Sequence, residues 1–265
     1  MSRILLLTDF GTRDGYPAAM KGVIWSIAPQ AEVADLTHDI PPQDVLAAAL
    51  TLGRTTPYFP AGTIFVAVVD PGVGTPRRPL AGRIGAHLYV APDNGLLTLV
   101  LQKAESAGAP AELVHLDQPQ YWLPQVSRTF HGRDIFAPAG AHLANGTALV
   151  ELGTPISDPV RLRLPEARRT SSGWQGEVIH VDHFGNLATN LGSEHLPATG
   201  EVEVRIRGEL IPRVAQAFGQ MPNGALTALI DSAGALSIAV VNGSAAGRLG
   251  VGVGEKVEVI NQAIA

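Results

Sequence analysis

The sequence contains no cysteine among its 265 residues. Disulfide bonds, thiolate zinc sites and cysteine nucleophiles are therefore excluded. Charged residues are also scarce, at 16% of the chain, and the formal net charge is −5. Because nucleic-acid binding needs a basic face, this acidic balance argues against a nucleic-acid partner.

Long apolar runs are missing as well. No segment approaches the roughly 18 consecutive apolar residues that a membrane span requires. The short apolar run at the N-terminus meets an acid at Asp9, whereas a signal peptide needs a longer stretch and a small-residue cleavage site. We therefore expect a cytoplasmic protein with no membrane partner.

Several common site motifs are absent. The chain has no Gly-x-Ser-x-Gly segment, which excludes the serine elbow of α/β-hydrolases. Its first glycine turn reads Asp-Phe-Gly rather than Gly-x-Gly-x-x-Gly, which argues against a Rossmann dinucleotide or methyltransferase site. Asp35, His38 and Asp39 form a weak candidate cation site without a matching partner. We expect neither a bound metal nor a cofactor.

The first half of the chain alternates strand and helix signals. Strands are predicted at residues 4–8, 32–36, 63–69 and 87–91, and helices at 16–28, 44–52, 95–103 and 135–143. Asn94 is the predicted N-cap of the helix over 95–103. This alternation predicts an α/β domain over residues 1–160, with a mostly parallel sheet covered by helices on both faces.

The pattern changes near residue 160. From Gly176 onward, five segments with strand signals are separated by Gly, Pro and Asn. They predict a smaller domain over residues 174–265, built as an antiparallel barrel or sandwich. The segment Val160–Gly173, rich in Pro, Arg and Ser, is the predicted linker.

Acidic residues end two of the predicted buried strands. Asp9 follows the first strand and Asp70 follows the most apolar one. Ligands of open α/β sheets bind outside the carboxyl ends of the strands, so both acids are candidate site residues. The alternative is that they only stabilise glycine turns, which such sequences also favour.

Two further segments of the first half carry candidate chemistry. In Asp-Pro-Gly-Val-Gly-Thr-Pro-Arg, Arg77 can fold back toward Asp70. The alternative, a phosphate-binding loop, lacks its Gly-Lys-Ser/Thr ending. His131 lies between Thr-Phe and Gly-Arg-Asp just before a predicted helix, among groups that can set its charge. Arg133 and Asp134 can equally form a local ion pair.

One segment of the second half combines an aromatic and an amide side chain. Phe184 and Asn186 follow Asp182 in Asp-His-Phe-Gly-Asn. A phenyl ring can stack on a planar base while an amide reads the edge of that base. A hairpin turn with a surface Asn explains the same pattern.

Six segments in order carry a family resemblance. They read TDFGTRDGYPAAMKGVI, VVDPGVGTPRR, PDNG, FHGRDIFAPA, VDHFGNLATN and DSAGALSIAV. Together they resemble the S-adenosylmethionine (SAM) hydroxide adenosyltransferases, which are relatives of the fluorinase and chlorinase. The resemblance runs from Leu7 to about Ala246, nearly the whole chain.

This resemblance implies a fold and an activity. It implies an N-terminal α/β domain, a C-terminal β-barrel domain, and a homotrimer that binds SAM between the N-domain of one subunit and the C-domain of its neighbour. The implied reaction is attack of water at the ribose C5′ of SAM, which gives adenosine and L-methionine without a cofactor.

The resemblance also implies roles for individual residues. Asp70, Arg77 and His131 match the water-activating set, in which either Asp70 or His131 is a candidate proton acceptor. The matching substrate-binding positions are Asp9 at the ribose hydroxyls, Asp14 and Tyr16 near the methionine end, Asp182 at the methionine amine, Phe184 and Asn186 at adenine, and Ser232, Ser237 and Val240 along the C-domain wall. At Ser237 the family usually carries Glu, so the contact there departs from the pattern.

Two other functions remain open at this level. The related halogenases carry a tyrosine where this chain has Asp70, so Asp70 favours a hydrolase over a halogenase. A SAM or adenosine sensor without turnover is the other alternative, and the intact set of Asp70, Arg77 and His131 argues against it.

Overall fold

The computed structural model describes residues 2–197 and 202–261. The chain divides into two compact units, Met1–Leu162 and Arg163–Ala265. In the described residues, no helix is both long and apolar enough to cross a bilayer.

The first unit is a seven-stranded sheet with helices. Its strands are β1 (Arg3–Thr8), β2 (Glu32–Thr37), β3 (Ile64–Val68), β4 (Pro79–Ile84), β5 (His87–Pro92), β6 (Ala111–His115) and β7 (Thr154–Ile156). Its helices are α1 (Tyr16–Ile27), α2 (Val45–Thr55), α3 (Thr98–Ser106) and α4 (Ala137–Ala144). The strand order is β2-β1-β3-β5-β4-β6-β7.

The parallel core of this sheet confirms the predicted α/β class. β2, β1, β3 and β5 pair in parallel, and β3 and β5 are buried along their whole length. Continuous apolar strands of this kind need cover on both faces. Two separate apolar cores provide it, one containing residues of α1 and α4 and the other residues of α2 and α3.

Three strands extend this core in antiparallel fashion, and the sequence pattern did not predict them. β4 pairs antiparallel with both β5 and β6, and β6 pairs antiparallel with β7. β4 reads Pro-Leu-Ala-Gly-Arg-Ile, and its proline and glycine hide the strand signal.

The predicted role of Asn94 as a helix N-cap is wrong. Helix α3 begins at Thr98 with Leu97 as its N-cap. The Asn94 amide instead donates to the Val69 carbonyl at 2.8 Å, and its oxygen accepts from the Leu96 amide at 3.2 Å. A left-handed Gly95, at φ 95°, turns the chain before the helix starts. Asn94 therefore fixes the turn between β5 and α3.

The second unit is built around a nine-stranded sheet. Its strands are β8 (Arg168–Arg169), β9 (Gly173–Val181), β10 (Leu187–Gly192), β11 (Val202–Ile206), β12 (Glu209–Ile211), β13 (Val214–Ala215), β14 (Leu226–Ile230), β15 (Ala235–Val240) and β16 (Lys256–Asn261). The main path is β12-β11-β16-β9-β10-β15-β14-β13, with β8 on β9.

This sheet curls into a nearly closed barrel, which confirms the predicted second architecture. Its pairs are antiparallel apart from β13 with β14, and the two ends of the sheet meet where β11 contacts β13 and β12 contacts β14. The apolar face of the strands forms one core. A short helix, α5 (Ala245–Leu249), was not predicted among the strand signals.

Candidate active site

A cleft opens where the parallel strands β1 and β3 end. Asp9 follows β1, and Asp70 follows two residues beyond the end of β3. The cleft has a volume of about 270 Å³, and its lining includes Asp9, Phe10, Gln43, Asp70, Phe130 and His131. Two acids predicted from separate strands therefore lie at one cavity, as the strand-end rule requires.

Arg77 folds back onto Asp70, as the sequence predicts. The Arg77 Nε donates to both Asp70 carboxylate oxygens at 2.9 Å, and Nη2 also donates to Oδ2. The Asp70 and Arg77 side chains are only 5% and 9% exposed. A fork of this kind is the strong form of an ion pair, so the carboxylate is held rigidly at the cleft wall.

The glycine loop between these residues is shaped by close backbone contact. Gly74 has φ 76°, and a Cβ added there would lie 2.6 Å from the Arg128 carbonyl oxygen. Only glycine fits this combination of left-handed conformation and space. The turn is closed by a hydrogen bond from the Val73 amide to the Asp70 carbonyl at 3.2 Å.

His131 completes the set through Arg77. The Arg77 Nη2 lies 2.9 Å from His131 Nδ1. A guanidinium only donates, so Nδ1 accepts and the ring hydrogen lies on Nε2. Burial and, next, the Arg77 cation lower the pKa of His131, although Asp70 and Asp134 oppose this. The imidazole is therefore neutral near pH 7.

A buried carboxylate fixes the chain around His131. A π-helical turn over Gly132–Phe136 leads into α4. Within it, Asp134 accepts hydrogen bonds from the Ser127 amide at 2.8 Å and from Arg133 Nε at 2.6 Å. Burial raises the pKa of Asp134, but these hydrogen bonds outweigh it and leave the pKa lowered. The predicted Arg133–Asp134 ion pair thus forms and shapes the loop.

Three aromatic rings lie beside the polar set. Phe10, Tyr16 and Phe130 pack edge to face, with ring centroids 5.1–6.0 Å apart. Phe10 and Phe130 line the cleft, whereas Tyr16 is 47% exposed. Asp14 is exposed and lies outside the cleft lining. The structure thus groups Tyr16 with the site but leaves Asp14 apart.

The second unit has a more apolar pocket of its own. Its volume is about 540 Å³, and its lining includes Phe184, Asn186, Phe218 and Val240. Phe184 is 73% exposed. A phenyl ring so open to solvent offers a free face for stacking.

The Asp182 carboxylate holds the turn that carries Phe184. Its Oδ1 accepts from the backbone amides of Phe184 and Asn186 at 2.9 and 2.8 Å, and its Oδ2 accepts from Asn186 Nδ2 at 2.8 Å. Gly185, at φ 81°, passes so close to Ser244 that no larger residue fits. Asp182 therefore has a clear structural role, and its contact with a methionine amine stays a prediction.

The two predicted serines are not among the residues that line this pocket. Ser237 is buried and donates to Asp231 Oδ2 at 2.9 Å. Asp231 Oδ1 accepts from the Ala233 and Ala235 amides and so closes the turn that contains the exposed Ser232. Where the family usually has Glu, Ser237 thus serves an internal hydrogen bond.

Comparison with known protein families gives two matches in chain order. The model of the SAM hydroxide adenosyltransferase N-terminal domain matches residues 4–153, and that of the C-terminal domain matches residues 176–258. The chain belongs to the SAM hydroxide adenosyltransferase family. The resemblance stated from six short motifs is thereby confirmed over most of the chain.

Individual relatives agree with this family. The chain is 43% identical to the (R)-S-adenosyl-L-methionine hydrolase of Salinispora arenicola, over 97% of each chain. It is 31% identical to the fluorinase of an Actinoplanes species, over 74% of each. The crystal structure of an uncharacterized conserved protein from Thermotoga maritima superposes with a TM-score of 0.87 at 37% identity, covering 97% of this chain and 99% of the other.

The residues that the sequence did not indicate as part of the first cleft include two aromatic side chains and one amide. Phe10, Gln43 and Phe130 line it beside the predicted polar residues. Phe10 and Phe130 directly follow or precede Asp9 and His131 in the chain, so an aromatic next to a strand-end acid or a loop histidine was a usable signal. Gln43 carried none, because its place depends on the fold.

Proposed function

We propose that this chain hydrolyses SAM by attack of water at the ribose C5′, giving adenosine and L-methionine. The observation that carries the proposal is the contact of Arg77 with both Asp70 and His131 at one cleft. A relative that covers nearly the whole chain and is named (R)-S-adenosyl-L-methionine hydrolase supports the same reaction.

The chemistry fits a site with few catalytic groups. Methionine leaves the sulfonium as a neutral thioether, so its departure needs no general acid. The difficulty is the weak nucleophile, which must be held in line with the C5′–S bond. Positioning of this kind supplies several kcal/mol of barrier reduction, and a proton acceptor adds about 10²–10⁴-fold.

The hydrogen bonds of His131 favour Asp70 as the proton acceptor. Its Nδ1 lone pair is used by Arg77, and its Nε2 carries a hydrogen, so neither nitrogen is free to take a proton. We therefore assign His131 the role of donating from Nε2 toward the water oxygen, with a hydrogen that it shares with the Ser127 backbone. The Asp70 carboxylate retains lone pairs beyond those used by Arg77 and is the remaining acceptor.

With these roles, the bonds and protons of the reaction balance. A water lone pair forms the O–C5′ bond, and the C5′–S bonding electrons pass to sulfur. One water proton goes to Asp70 and afterwards to solvent. Arg77 keeps Asp70 in place. Burial and, next, the Arg77 cation lower the pKa of His131 and keep its ring neutral.

The proposed substrate contacts come from the first unit of one subunit and the second unit of its neighbour. Asp9 holds the ribose hydroxyls, Asp14 and Tyr16 lie near the methionine end, and Phe184 and Asn186 hold adenine. The remaining contacts are Asp182 with the methionine amine and Ser232, Ser237 and Val240 along the wall. The first cleft, at about 270 Å³, lies just below the roughly 300–1,000 Å³ of complete ligand sites. We propose, as the family resemblance implies, that the site is shared between subunits of a homotrimer.

Halogenation and binding without turnover are the competing functions. The Asp70 carboxylate at the cleft repels a halide ion, and the fluorinase relative covers less of the chain at lower identity. A sensor does not need a bidentate arginine that also fixes a histidine tautomer. Both features support hydrolysis, and we propose that the enzyme acts in the cytoplasm.

The first test is product analysis. The purified protein is incubated with SAM in the presence and absence of chloride, and the products are separated by chromatography. Adenosine and methionine at a halide-independent rate are expected. A 5′-halo-adenosine would make the protein a halogenase, and tight binding of SAM or adenosine without turnover would make it a sensor.

A further inference from the structure

A chain of hydrogen bonds lies behind the cleft and is not used by the proposed reaction. The His38 ring joins Thr8 Oγ1, 2.8 Å from Nδ1, to Asp35 Oδ1, 2.9 Å from Nε2. Lys21 Nζ donates to the other Asp35 oxygen at 2.6 Å. Thr8 is fully buried, and His38 is 4% exposed.

The donors and acceptors of this hydrogen-bond chain fit only the direction in which Thr8 donates to His38 and His38 donates to Asp35. The Phe10 amide donates to Thr8 Oγ1 at 3.2 Å. The Asp35 carboxylate only accepts, so Nε2 of the neutral His38 ring carries the hydrogen and Nδ1 accepts from the Thr8 hydroxyl. The ring hydrogen of His38 then lies on Nε2 and points to Asp35. In the reverse direction the buried Thr8 hydroxyl hydrogen would lose this acceptor, which costs stability.

A β-bulge makes the arrangement possible. In the pairing of β1 with β2, Leu6 lies opposite Asp35 but Leu7 lies opposite Thr37. Side chains three apart point to opposite faces of a regular strand. One inserted residue shifts the alternation, so Asp35 and His38 can meet on the same side. Bulges often redirect side chains in this way next to active sites.

The hydrogen-bond chain ends at the backbone that carries Asp9. Thr8 Oγ1 accepts from the residue two positions ahead and so restricts the conformation of Asp9 between them. The Gly11 amide donates to the His38 carbonyl at 2.8 Å, and the Gln43 amide donates to Asp9 Oδ2 at 2.8 Å. Gln43 itself has the left-handed φ of 66°, a strained conformation typical of functional sites.

We propose that Thr8 and His38 are positioning residues. They hold Asp9 where its carboxylate accepts hydrogen bonds from the ribose hydroxyls of the substrate. The inference rests on the proposed function of Asp9 as the ribose contact. It assigns the hydrogen bonds between the ends of β1 and β2 a role in fixing the position of the substrate. A site that is 1 Å too loose loses much of its function.

Two other roles for this cluster fit less well. The Thr-His-Asp order resembles a nucleophile triad, but the fully buried Thr8 cannot reach a substrate. Asp35 and His38 resemble a metal site, but Lys21 occupies the free Asp35 oxygen. In the described residues, no third metal-ligating side chain joins them.

The matched pair Thr8→Val and Thr8→Ser tests the proposal. Valine keeps the shape and removes the hydroxyl, whereas serine keeps it. The dissociation constants of adenosine and 2′,3′-dideoxyadenosine are measured for both variants, each with and without Asp9→Asn. We expect Thr8→Val to weaken adenosine binding roughly 5- to 20-fold and to affect the dideoxy compound less than about 2-fold. Thr8→Ser should bind like the unaltered protein.

The coupling to Asp9 separates positioning from a purely structural role. In the Asp9→Asn background, Thr8→Val should change adenosine binding by less than about 2-fold, because the group it positions is gone. Equal weakening of both nucleosides, or an undiminished effect without the Asp9 carboxylate, would overturn the proposal. If Thr8→Val does not fold, Asp35→Ala at the half-exposed end of the chain should give a smaller loss with the same ribose dependence.

These results are independent of turnover. An unaltered protein that binds adenosine but does not cleave SAM would refute the proposed hydrolysis, and the binding ratios would still decide on Thr8 and His38. An unaltered protein that binds both nucleosides equally would overturn the positioning role, because Asp9 would then have no ribose hydroxyl to hold.

Discussion

Arg77 and Arg78 are consecutive residues, and each forms an ion pair with a buried aspartate. Arg77 pairs with Asp70, and Arg78 pairs with Asp93 through Nε at 2.8 Å. The two aspartate side chains are equally shielded, at 5% and 3% exposed. Burial and charge therefore do not distinguish the proposed catalytic pair from a structural one in this protein.

The third partner of each pair makes the difference. Arg77 continues to His131 at the cleft. Arg78 continues to Asp158, and Asp93 also accepts from the Val160 amide at 2.7 Å. The first pair thus orients a titratable ring toward a cavity, whereas the second fastens the segment that ends the first unit. A buried ion pair therefore indicates a functional site only when it orients a reactive side chain toward a cavity.

Replacing Asp70 should have the largest effect. Asp70→Asn keeps the shape and a hydrogen-bond acceptor for Arg77 but removes the proton acceptor. We expect kcat to fall about 10³-fold, within the range for loss of a general base, while the Kd for SAM changes less than about 3-fold. Product chromatography and equilibrium binding measure the two. Unchanged turnover would remove Asp70 from the mechanism.

Replacing His131 should have a smaller effect. His131→Gln retains an N–H donor on a flexible side chain, so water is still contacted but less well oriented. We expect kcat to fall about 10- to 100-fold, clearly less than for Asp70→Asn. If His131→Gln were the more damaging variant, the assignment of the proton acceptor to Asp70 would be wrong.

The matched substitution in the structural pair should affect stability instead. Asp93→Asn weakens the hold on Arg78 and on the Val160 amide, so we expect the Tm to fall by roughly 4–8 °C. Activity below the unfolding range should stay within about 2-fold. Differential scanning calorimetry and the product assay check both. A loss of turnover comparable to that of Asp70→Asn would mean that the two pairs do not differ in function.

The smallest expected effect is on the pH dependence of stability. Burial, with Arg77 next, lowers the pKa of His131, and burial lowers the pKa values of His87 and His142. In the unfolded chain these rings titrate near 6.5. Below that pH the unfolded chain binds protons at these rings that the folded protein does not bind. The free energy of unfolding therefore falls with decreasing pH.

Unfolding temperatures between pH 7.5 and 5.5 check this effect. We expect a decrease of about 2–4 °C in the unaltered protein. The decrease should be smaller in His131→Gln and unchanged in Asp93→Asn, because the Arg78 pair contains no histidine. A Tm that rises as the pH falls over this window would contradict the assigned direction of the pKa shifts.

Much of the first unit could be predicted because its signals are local. The apolar runs of β1 and β3, the helical spacing of α1 and the turn that returns Arg77 to Asp70 all lie within short stretches of sequence. β4 could not be predicted, because its proline and glycine are tolerated only through pairing with β5 and β6. Asn94 misled the prediction because its side chain serves a distant carbonyl.

Local sequence patterns could not predict the contacts in the site between residues that are far apart in the chain. The Arg77–His131 bond joins residues 54 apart, and the Gln43–Asp9 bond joins residues 34 apart. The sequence indicates His38 only as a candidate cation ligand, because the bulge that turns it toward Asp35 has no sequence signature. Such partners follow from strand order and register, which three-dimensional structure alone provides.

Isotope labelling shows directly whether water attacks the ribose C5′ of SAM. The protein is allowed to consume SAM in water enriched in ¹⁸O, and adenosine and methionine are examined by mass spectrometry. Attack of water at C5′ predicts one ¹⁸O atom in the 5′-hydroxyl of adenosine and none in methionine. Adenosine without the label, or a product in which the bond from C5′ to sulfur is intact, would contradict the account.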